Sequence, residues 1–436
     1  MGDTQRSQTI STQLCQIAKQ AREHPERIFT SLVHLMDVEL LRAAFKETSK
    51  DSAPGVDGVT ARQYAEHLDA NLTALHRRLR QKQYKAPLVL RVWLDKDEGS
   101  KRPIGISVVE DKVVQRGAAS LMNAVYEQDF YEFSKGFRKG KSPHDALKAL
   151  RDQCTRLNIR WIIDADISKF FDSIDHKILM DFIKRRINDG GLLRLIGKWL
   201  NAGVLDAGAK SYPDSGTPQG GVISPLLANI YLHYVLDEWF VKEIKPRLKG
   251  RCFLIRFADD FVIGCELESD AQRLMAVLPK RFNRFKLTIH PKKTVLVDFR
   301  PPNERGGNGK PGTFDFLGFT HYWGKSRNDN WVIKRRTMRK RLSRAMQDVW
   351  QWCHDHRHDK VTEQYKMLRA KLVGHYNYYG IRCNYAMLEK LYKHAKNSWR
   401  RWLGRRSRNG CMSWDEFTER YLQSFPLPPP RIVHSI

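Results

Sequence analysis

The stretch CFLIRFADDFVIGC, residues 252–265, contains two apolar segments on either side of Ala258, Asp259 and Asp260. Segments of this length and composition are typical of β-strands, and the short interruption between them is typical of a tight turn. Two adjacent carboxylates in such a place are unfavourable unless a cation pairs with them. The alternative is a solvated surface turn, because Asp is common in turns. The stretch therefore predicts a β-hairpin with two carboxylates at its tip.

A second strand with an acidic end lies upstream. RWIIDADI, residues 160–167, has the composition of a buried strand and carries Asp164 and Asp166 near its end. The residues that follow, 168–187, are predicted to be helical. A third carboxylate at a strand end would complete a site with the hairpin pair, and Asp166 is the candidate. The alternative is that both aspartates only cap the helix that follows.

The order of elements around these carboxylates predicts the fold of this region. After the strand and the helix comes the hairpin, then a helix over residues 269–285 and a strand over residues 294–299. Strand, helix, hairpin, helix, strand is the order of a split βαβ sheet. We therefore expect an α+β fold that brings the acidic strand end and the hairpin turn together.

Three converging carboxylates are suited to a hard divalent cation. Mg²⁺ favours a small number of carboxylates together with phosphate oxygens. Two such ions about 4 Å apart can activate a hydroxyl group and stabilise a leaving group in an in-line displacement. The sequence therefore predicts a site for two Mg²⁺ ions on Asp166, Asp259 and Asp260.

The segments outside this region differ from it in composition. Residues 1–50 are predicted to be helical from apolar positions at near-helical spacing, namely Ile28, Leu32, Leu35 and Met36. Residues 88–106 predict a basic β-hairpin. Residues 331–408 contain 21 Lys or Arg against 5 Asp or Glu, with many aromatic residues, and predict a basic helical domain. PLPPP, residues 426–430, predicts an extended tail.

The charge of the chain indicates its partners. A formal net charge of +28 and a pI of about 9.9 point to a polyanion, and nucleic acid is the first candidate. An acidic membrane surface is the alternative, but no polybasic cluster flanks an apolar anchor, and no run of about eighteen apolar residues spans a bilayer. The first thirty residues lack the apolar core of a signal peptide, so we expect a cytoplasmic location.

In combination, the motifs resemble those of the reverse transcriptase/maturase encoded by bacterial group II introns. The resemblance runs from about Asp51 to Gly404. Its markers, in order, are APGVDG (53–58), KRPIGI (101–106), DKVVQ (111–115), GFRKGKSPHDAL (136–147), DADISKFFDSIDH (164–176), GTPQGGVISPLLANIYL (216–232), RFADD (256–260), FDFLGF (314–319) and GHYNYYGI (374–381). The ordered set is specific, although each motif alone has a simpler structural explanation.

The resemblance implies an α+β right-hand polymerase followed by an all-α domain. It implies an N-terminal helical extension (1–50), fingers (51–160) with a finger hairpin (88–106), a split βαβ palm (161–325), and a helical thumb/maturase domain with the proline-rich tail (326–436). In this fold the fingers and palm would enclose the nucleotide, and the thumb/maturase domain would bind RNA.

The resemblance also implies roles for individual residues. Asp166, Asp259 and Asp260 would be the catalytic carboxylates and metal ligands. Five residues would bind the incoming deoxynucleoside triphosphate: Lys96, Arg102, Ile167, Phe171 and Gln219. Phe171 would be the steric gate against the ribose 2′-hydroxyl. Leu317 and Gly318 would form the turn that contacts the primer, called the primer grip. Seen alone, Phe171 is a core aromatic and Lys96 and Arg102 are an exposed charged turn.

The function that follows from the resemblance is an RNA-directed DNA polymerase that copies intron RNA from a primer 3′-hydroxyl and binds that RNA to assist splicing. Its partners would be the RNA template, a DNA or RNA primer, deoxynucleoside triphosphates and target DNA at the bacterial nucleoid, with no membrane; the sequence leaves the oligomeric state open. Two alternatives remain: an RNA-binding splicing cofactor with an idle polymerase site, and a domesticated reverse transcriptase in defence or repair. No His-Asn-His nuclease with cysteine pairs follows Gly404, so we expect no DNA cleavage by this chain.

Overall fold

The computed structural model describes residues 2–95, 101–206, 208–212, 215–216, 220–304, 312–407 and 410–436. The strands are β1 (Val89–Asp95), β2 (Lys101–Ile106), β3 (Trp161–Ala165), β4 (Val204–Asp206), β5 (Ala209–Ser211), β6 (Cys252–Phe257), β7 (Asp260–Cys265), β8 (Val295–Asp298), β9 (Phe314–Phe316), β10 (Phe319–Lys325) and β11 (Trp331–Thr337).

The α-helices are α1 (Gly2–Glu23), α2 (Val38–Lys46), α3 (Ala61–Glu66), α4 (Leu68–Arg80), α5 (Val109–Asp129), α6 (Pro143–Arg156), α7 (Phe170–Ser173), α8 (His176–Lys184), α9 (Gly190–Leu200), α10 (Ser224–Leu232), α11 (Glu268–Arg284), α12 (Arg339–Asp355), α13 (Val361–Tyr379), α14 (Tyr385–Gly404) and α15 (Trp414–Phe417). Single turns of 3₁₀-helix are Val33–Leu35, Lys245–Arg247 and Pro302–Glu304, and turns of π-helix are His233–Asp237, Phe240–Ile244 and Thr418–Leu422. The described residues contain no helix long and apolar enough to cross a membrane.

The central sheet has the strand order β6-β7-β3-β8, and β3 is antiparallel to both of its neighbours. Side chains alternate across it. Ile163 and Phe261 pack into the largest hydrophobic core on one face, whereas Ile162 and Val262 join a second core on the other. The order strand, helix, hairpin, helix, strand is present, and with it the predicted α+β fold is confirmed.

A second sheet has the order β2-β1-β4-β5. β1 and β2 form an antiparallel hairpin in which Leu94 pairs with Arg102, and β1 pairs in parallel with β4. This sheet therefore extends the hairpin with two short strands from a distant part of the chain.

Residues 24–37 differ from the prediction of helix through Ile28 and Met36. After α1 ends at Glu23, only the single 3₁₀ turn interrupts an irregular path. Phe29 N donates to Arg186 O (2.8 Å) and Asn188 N donates to Phe29 O (2.8 Å), so this backbone is satisfied by tertiary hydrogen bonds instead of helical ones. The helical prediction is wrong here: Leu32 and Met36 are buried, but Ile28 is exposed, so the apolar positions do not form one helical face.

The third sheet has the order β11-β10-β9. The prediction of helix from residue 331 is wrong for its first seven residues, because Trp331–Thr337 pairs along its whole length with β10. After that, α12, α13 and α14 pack around a third hydrophobic core whose most buried large side chain is Trp399. The tail beyond Pro426 runs extended over α13, and Ile381 and His434 form a parallel bridge. The domain boundaries given above stay predictions.

Candidate active site

The strand register brings the three predicted carboxylates to one edge of the central sheet. Ala165, the last residue of β3, pairs with Phe261 on the antiparallel strand β7. One step further in this register, Asp166, which follows Ala165, lies beside Asp260, which precedes Phe261. Phe257 and Asp260 close the β6–β7 hairpin, and Ala258 and Asp259 form its turn. Carboxylates more than ninety residues apart in the chain therefore meet at one strand end.

Burial and neighbouring like charges both disfavour the ionised form of the carboxylates at this edge. Removal from water raises the pKa of Asp260 to about 7, and the charges of Asp259 and Asp166 act in the same direction. Removal from water also raises the pKa of Asp259, with Asp166 adding to the effect. Asp260 keeps an exposed surface, so a ligand can reach it. The site thus concentrates negative charge that an added cation would relieve.

A fourth carboxylate on the same strand face was not assigned a role from the sequence. Asp164 lies two residues before Asp166, and alternation along β3 puts both on the same face. Burial raises the pKa of Asp164 to about 7, and Asp260, Asp315 and Asp166 contribute. Neither aspartate caps the next helix, because the N-cap of α7 is Lys169 and no side chain hydrogen bonds there. The helix-capping alternative is therefore wrong.

Lys293 is the immediate partner of one of these carboxylates. Its Nζ lies 2.7 Å from Oδ2 of Asp166, in a pair that remains partly exposed. Among the described residues, no three His, Cys, Asp or Glu side chains are already arranged to hold a metal ion. The donor chemistry still fits a divalent cation, since hard carboxylate oxygens share one strand edge. Asp166 would then exchange Lys293 for the ion.

The residues predicted to bind the nucleotide lie on elements around this edge. Ile167 is buried directly after β3 and bridges to Ile289. Phe171, in α7, is partly buried and makes an edge-on contact with Phe170 at a centroid distance of 5.4 Å. The positive charge of Arg102, on β2, partly opposes the rise in the pKa of Asp259. The β1–β2 hairpin therefore lies near the carboxylates. Two further predicted residues, Lys96 and Gln219, lie outside the described residues.

The predicted primer grip is a two-residue turn between β9 and β10. Leu317 and Gly318 both have positive φ, 49° and 78°, as expected for a tight hairpin turn that favours glycine. Tyr378 Oη donates to Leu317 O at 3.0 Å. A Cβ at residue 318 would lie 2.9 Å from Tyr379 Oη. The tyrosines at the end of α13 therefore pack against this turn, a contact that the sequence did not indicate.

Residues 94–321 match the family model described as reverse transcriptase (RNA-dependent DNA polymerase). This chain belongs to the reverse transcriptase family. The matched segment covers more than half of the chain and includes every residue predicted above for catalysis, nucleotide binding and the primer grip. Reverse transcriptases in general use a divalent metal ion.

Individual relatives of this reverse transcriptase family member come from bacteria and from a fungus. Protein YkfC of Escherichia coli is 38% identical over 240 residues, which cover 48% of this chain and 62% of that protein. The group II intron-encoded protein LtrA of Lactococcus lactis is 34% identical over 236 residues, covering 53% of this chain and 38% of LtrA. A 91 kDa protein in the cob intron of Schizosaccharomyces pombe is 42% identical over 158 residues, covering 36% and 19%. The chain thus spans less than two thirds of the length of each of these relatives.

Proposed function

We propose that this chain is the RNA-directed DNA polymerase of a group II intron, which copies intron RNA into DNA and binds that RNA to assist splicing. The single observation that carries the proposal is the meeting of Asp166 with the Asp259–Asp260 turn at one strand end. This arrangement lies within the segment that matches the reverse transcriptase family. Intron-encoded relatives support the intron assignment.

The three carboxylates would hold two Mg²⁺ ions. When bound, these ions would activate the primer 3′-hydroxyl and stabilise the leaving pyrophosphate. Asp259 and Asp260 lie on a rigid hairpin turn and Asp166 on the neighbouring strand, so the protein contributes positions fixed before substrate arrives. Raised carboxyl pKa values support the proposal, because they indicate a site that is strained until a cation enters.

The remaining predicted residues would select and orient the substrates. Arg102, together with Lys96, would bind the triphosphate of the incoming nucleotide, a role suited to fixed cations. Phe171 would exclude the ribose 2′-hydroxyl, and Ile167 and Gln219 would line the same pocket. The Leu317–Gly318 turn, packed against two tyrosines, would hold the primer end.

A second candidate function is RNA binding that assists splicing with an idle polymerase site. The observation that favours RNA binding is the excess of 21 Lys or Arg over 5 Asp or Glu in residues 331–408. The three carboxylates argue against an idle site but are compatible with both activities in one chain. A domesticated role in defence or repair would be distinguished by the absence of intron RNA domains around the gene. The cytoplasmic, nucleoid-associated location stays a prediction.

Primer extension on an RNA template by the purified chain tests the proposal. We expect Mg²⁺-dependent incorporation of deoxynucleotides by the wild type. Asp259→Ala should reduce incorporation by more than about a hundredfold, because losing even a residue that only hydrogen bonds to a metal ligand costs about 10–100-fold and Asp259 would be a direct ligand. Asp181→Ala is the matched control, since this exposed aspartate of α8 lies outside the strand edge.

Each outcome separates the candidates. Extension by the wild type and by Asp181→Ala, but not by Asp259→Ala, supports the polymerase. Equal extension by Asp259→Ala would reject the catalytic assignment. Intron RNA binding and splicing assistance without any extension by the wild type would favour the splicing cofactor.

A further inference from the structure

A fully buried ion pair lies directly behind the carboxylate turn. Arg256, in β6, and Asp237, in the π-helical turn, have no exposed side-chain surface. Arg256 Nε donates to Asp237 Oδ1 at 2.8 Å, and Nη2 donates to Oδ2. Such a two-pronged pair fixes both the position and the plane of the guanidinium group. The guanidinium therefore has a single available orientation.

The third nitrogen of this guanidinium group reaches the turn itself. Arg256 Nη1 donates to Ala258 O at 3.1 Å and to Asn229 Oδ1 at 2.9 Å. Ala258 has a φ of 58°, in the left-handed region that residues with a side chain rarely adopt. The hydrogen bond to its carbonyl therefore holds the peptide that joins Ala258 to Asp259 in an otherwise unfavourable conformation.

A neighbouring segment confines the turn from the other side. Asn229 Nδ2 donates to Gly136 O at 2.8 Å, and any side chain at residue 136 would collide with the backbone of Ala258. Arg256 N donates to Phe133 O at 3.0 Å, and Lys135 N donates to Arg256 O at 2.8 Å. These hydrogen bonds to the neighbouring segment thus pass through Arg256 or Asn229, and Gly136 packs directly against Ala258.

Stability of the fold alone does not explain this arrangement. A buried ion pair is often no more stabilising than apolar side chains of similar volume, because both charges lose their hydration. Here Arg256 pairs across the sheet with Phe261, which belongs to the largest hydrophobic core, so apolar side chains at both positions of the ion pair would adjoin that core. What apolar side chains could not supply is the hydrogen bond to Ala258 O.

We propose that Arg256, Asp237 and Asn229 are positioning residues that hold the Ala258–Asp259 peptide so that the hairpin carboxylates are preorganised for divalent cations. All three residues are buried, so they would act through the turn and not by contact with a substrate. The inference rests on the proposed function, since it assigns these residues to the metal-binding turn of that same site. It predicts that the network can be removed with the fold kept and metal binding weakened.

The test compares two double variants of the full chain in which a buried ion pair becomes apolar. Asp237→Leu with Arg256→Met removes the network behind the turn. Asp129→Leu with Arg186→Met is the matched control, because Arg186 and Asp129 form a largely buried pair away from the turn, with Nε 2.7 Å from Oδ2. Mn²⁺ serves as the probe, and its dissociation constant is measured by electron paramagnetic resonance without nucleic acid. Thermal unfolding and primer extension are measured in parallel.

We expect the variant behind the turn to bind Mn²⁺ about 10–100-fold more weakly, as for the loss of other groups that orient metal ligands. The control should keep the wild-type Mn²⁺ affinity even where its unfolding temperature falls. If Asp237→Leu with Arg256→Met does not fold, Arg256→Lys decides, because lysine keeps the charge but cannot reach all four acceptor atoms on Asp237, Asn229 and Ala258. Weaker Mn²⁺ binding by the folded variant supports the inference.

Unchanged Mn²⁺ affinity in a folded Arg256 variant would overturn the positioning role. An equal loss of Mn²⁺ affinity in the Asp129→Leu with Arg186→Met control would also overturn it. If the wild type extends primers and the folded Arg256 variant keeps the wild-type Mn²⁺ affinity, only the positioning role is rejected. A wild type that binds Mn²⁺ without extending primers rejects the proposed polymerase while the affinity comparison still decides the role of Arg256. A wild type that binds no Mn²⁺ overturns the preorganised site, and it rejects the polymerase as well only if it also fails to extend primers.

Discussion

The Lys293 ammonium group forms an ion pair with Asp166, with Nζ 2.7 Å from Oδ2, and would compete with a divalent cation proposed to bind this carboxylate. Because this pair is partly exposed, its attraction is worth only about 0.2–1 kcal/mol. Lys293→Met should therefore tighten Mn²⁺ binding by up to about fivefold, as measured by isothermal titration calorimetry. Lys292→Met removes an equal charge from the adjacent exposed residue and should change the affinity less. Equal effects of the two substitutions would show that Lys293 acts only through net charge.

Phe171 is expected to determine the choice of sugar. Phe171→Ala should lower the preference for deoxyribonucleotides over ribonucleotides by at least about tenfold, because it removes the ring that would clash with the ribose 2′-hydroxyl. Single-nucleotide incorporation kinetics with each nucleotide type measure this ratio. Phe170→Leu is the control, since the buried neighbouring ring packs in the core and its replacement should affect stability instead. Unchanged sugar discrimination by Phe171→Ala would contradict the gate.

Gly318→Ala should destabilise the fold by about 1–2 kcal/mol from its positive φ alone, with a further cost from the contact to Tyr379 Oη. Urea unfolding measures the free energy. Tyr379→Phe removes the hydroxyl oxygen. Gly318→Ala combined with Tyr379→Phe should therefore regain the free energy of unfolding lost to this contact, but not the part lost to the positive φ. If Tyr379→Phe restores nothing, the tyrosine hydroxyl does not restrict residue 318.

Asp189 joins α9 to the irregular N-terminal segment. Its Oδ2 accepts from Leu32 N (2.6 Å) and Val33 N (2.8 Å), and its Oδ1 caps the first amides of α9. Burial alone would raise the pKa of Asp189, but the four backbone donors outweigh it and hold the pKa below the ordinary value. Asp189→Ala should cost about 2 kcal/mol of unfolding free energy at pH 7.

The sign of the pH dependence follows from the lowered pKa. The stabilisation by the Asp189 carboxylate is fully present above the unfolded-state pKa of about 3.9, and is lost as the pH falls through the folded-state value. The difference between wild type and Asp189→Asn should therefore shrink below about pH 4, as measured by urea unfolding at several pH values. Asp37→Ala is the control for Asp189→Ala. Asp37 caps α2 through a single amide, so its loss should lower the free energy of unfolding by about half as much. A pH-independent difference would contradict the charged role of Asp189.

The central part of the site was predictable because its signals are local. The apolar strands around Asp259 and Asp260 and the acidic end of β3 are visible as short runs, and the order of elements predicts one sheet. Sheet pairing then follows from a small set of allowed topologies. Local sequence patterns did not determine the strand register, which makes Asp166 and Asp260 neighbours.

The elements that were missed depend on partners far away in the chain. The path of residues 24–37 is determined by Arg186 and Asp189, more than 150 residues downstream. The segment CFLIRF reads as an apolar strand with one misplaced charge, and only the fold shows that Arg256 is neutralised by Asp237. Lys293 follows a short turn whose position beside Asp166 has no sequence pattern.

Gly216 and Gly220 set a limit on how far the finger hairpin can travel. The backbone of Gly216 lies against Asp172, beside the proposed gate, and Gly220 lies against Gly105 in β2, where each approach leaves no room for a side chain. Only four peptide links separate the two glycines, so their Cα atoms can be at most about 14 Å apart. As long as both contacts persist, β2 can therefore move only a short distance from the segment that holds Asp172.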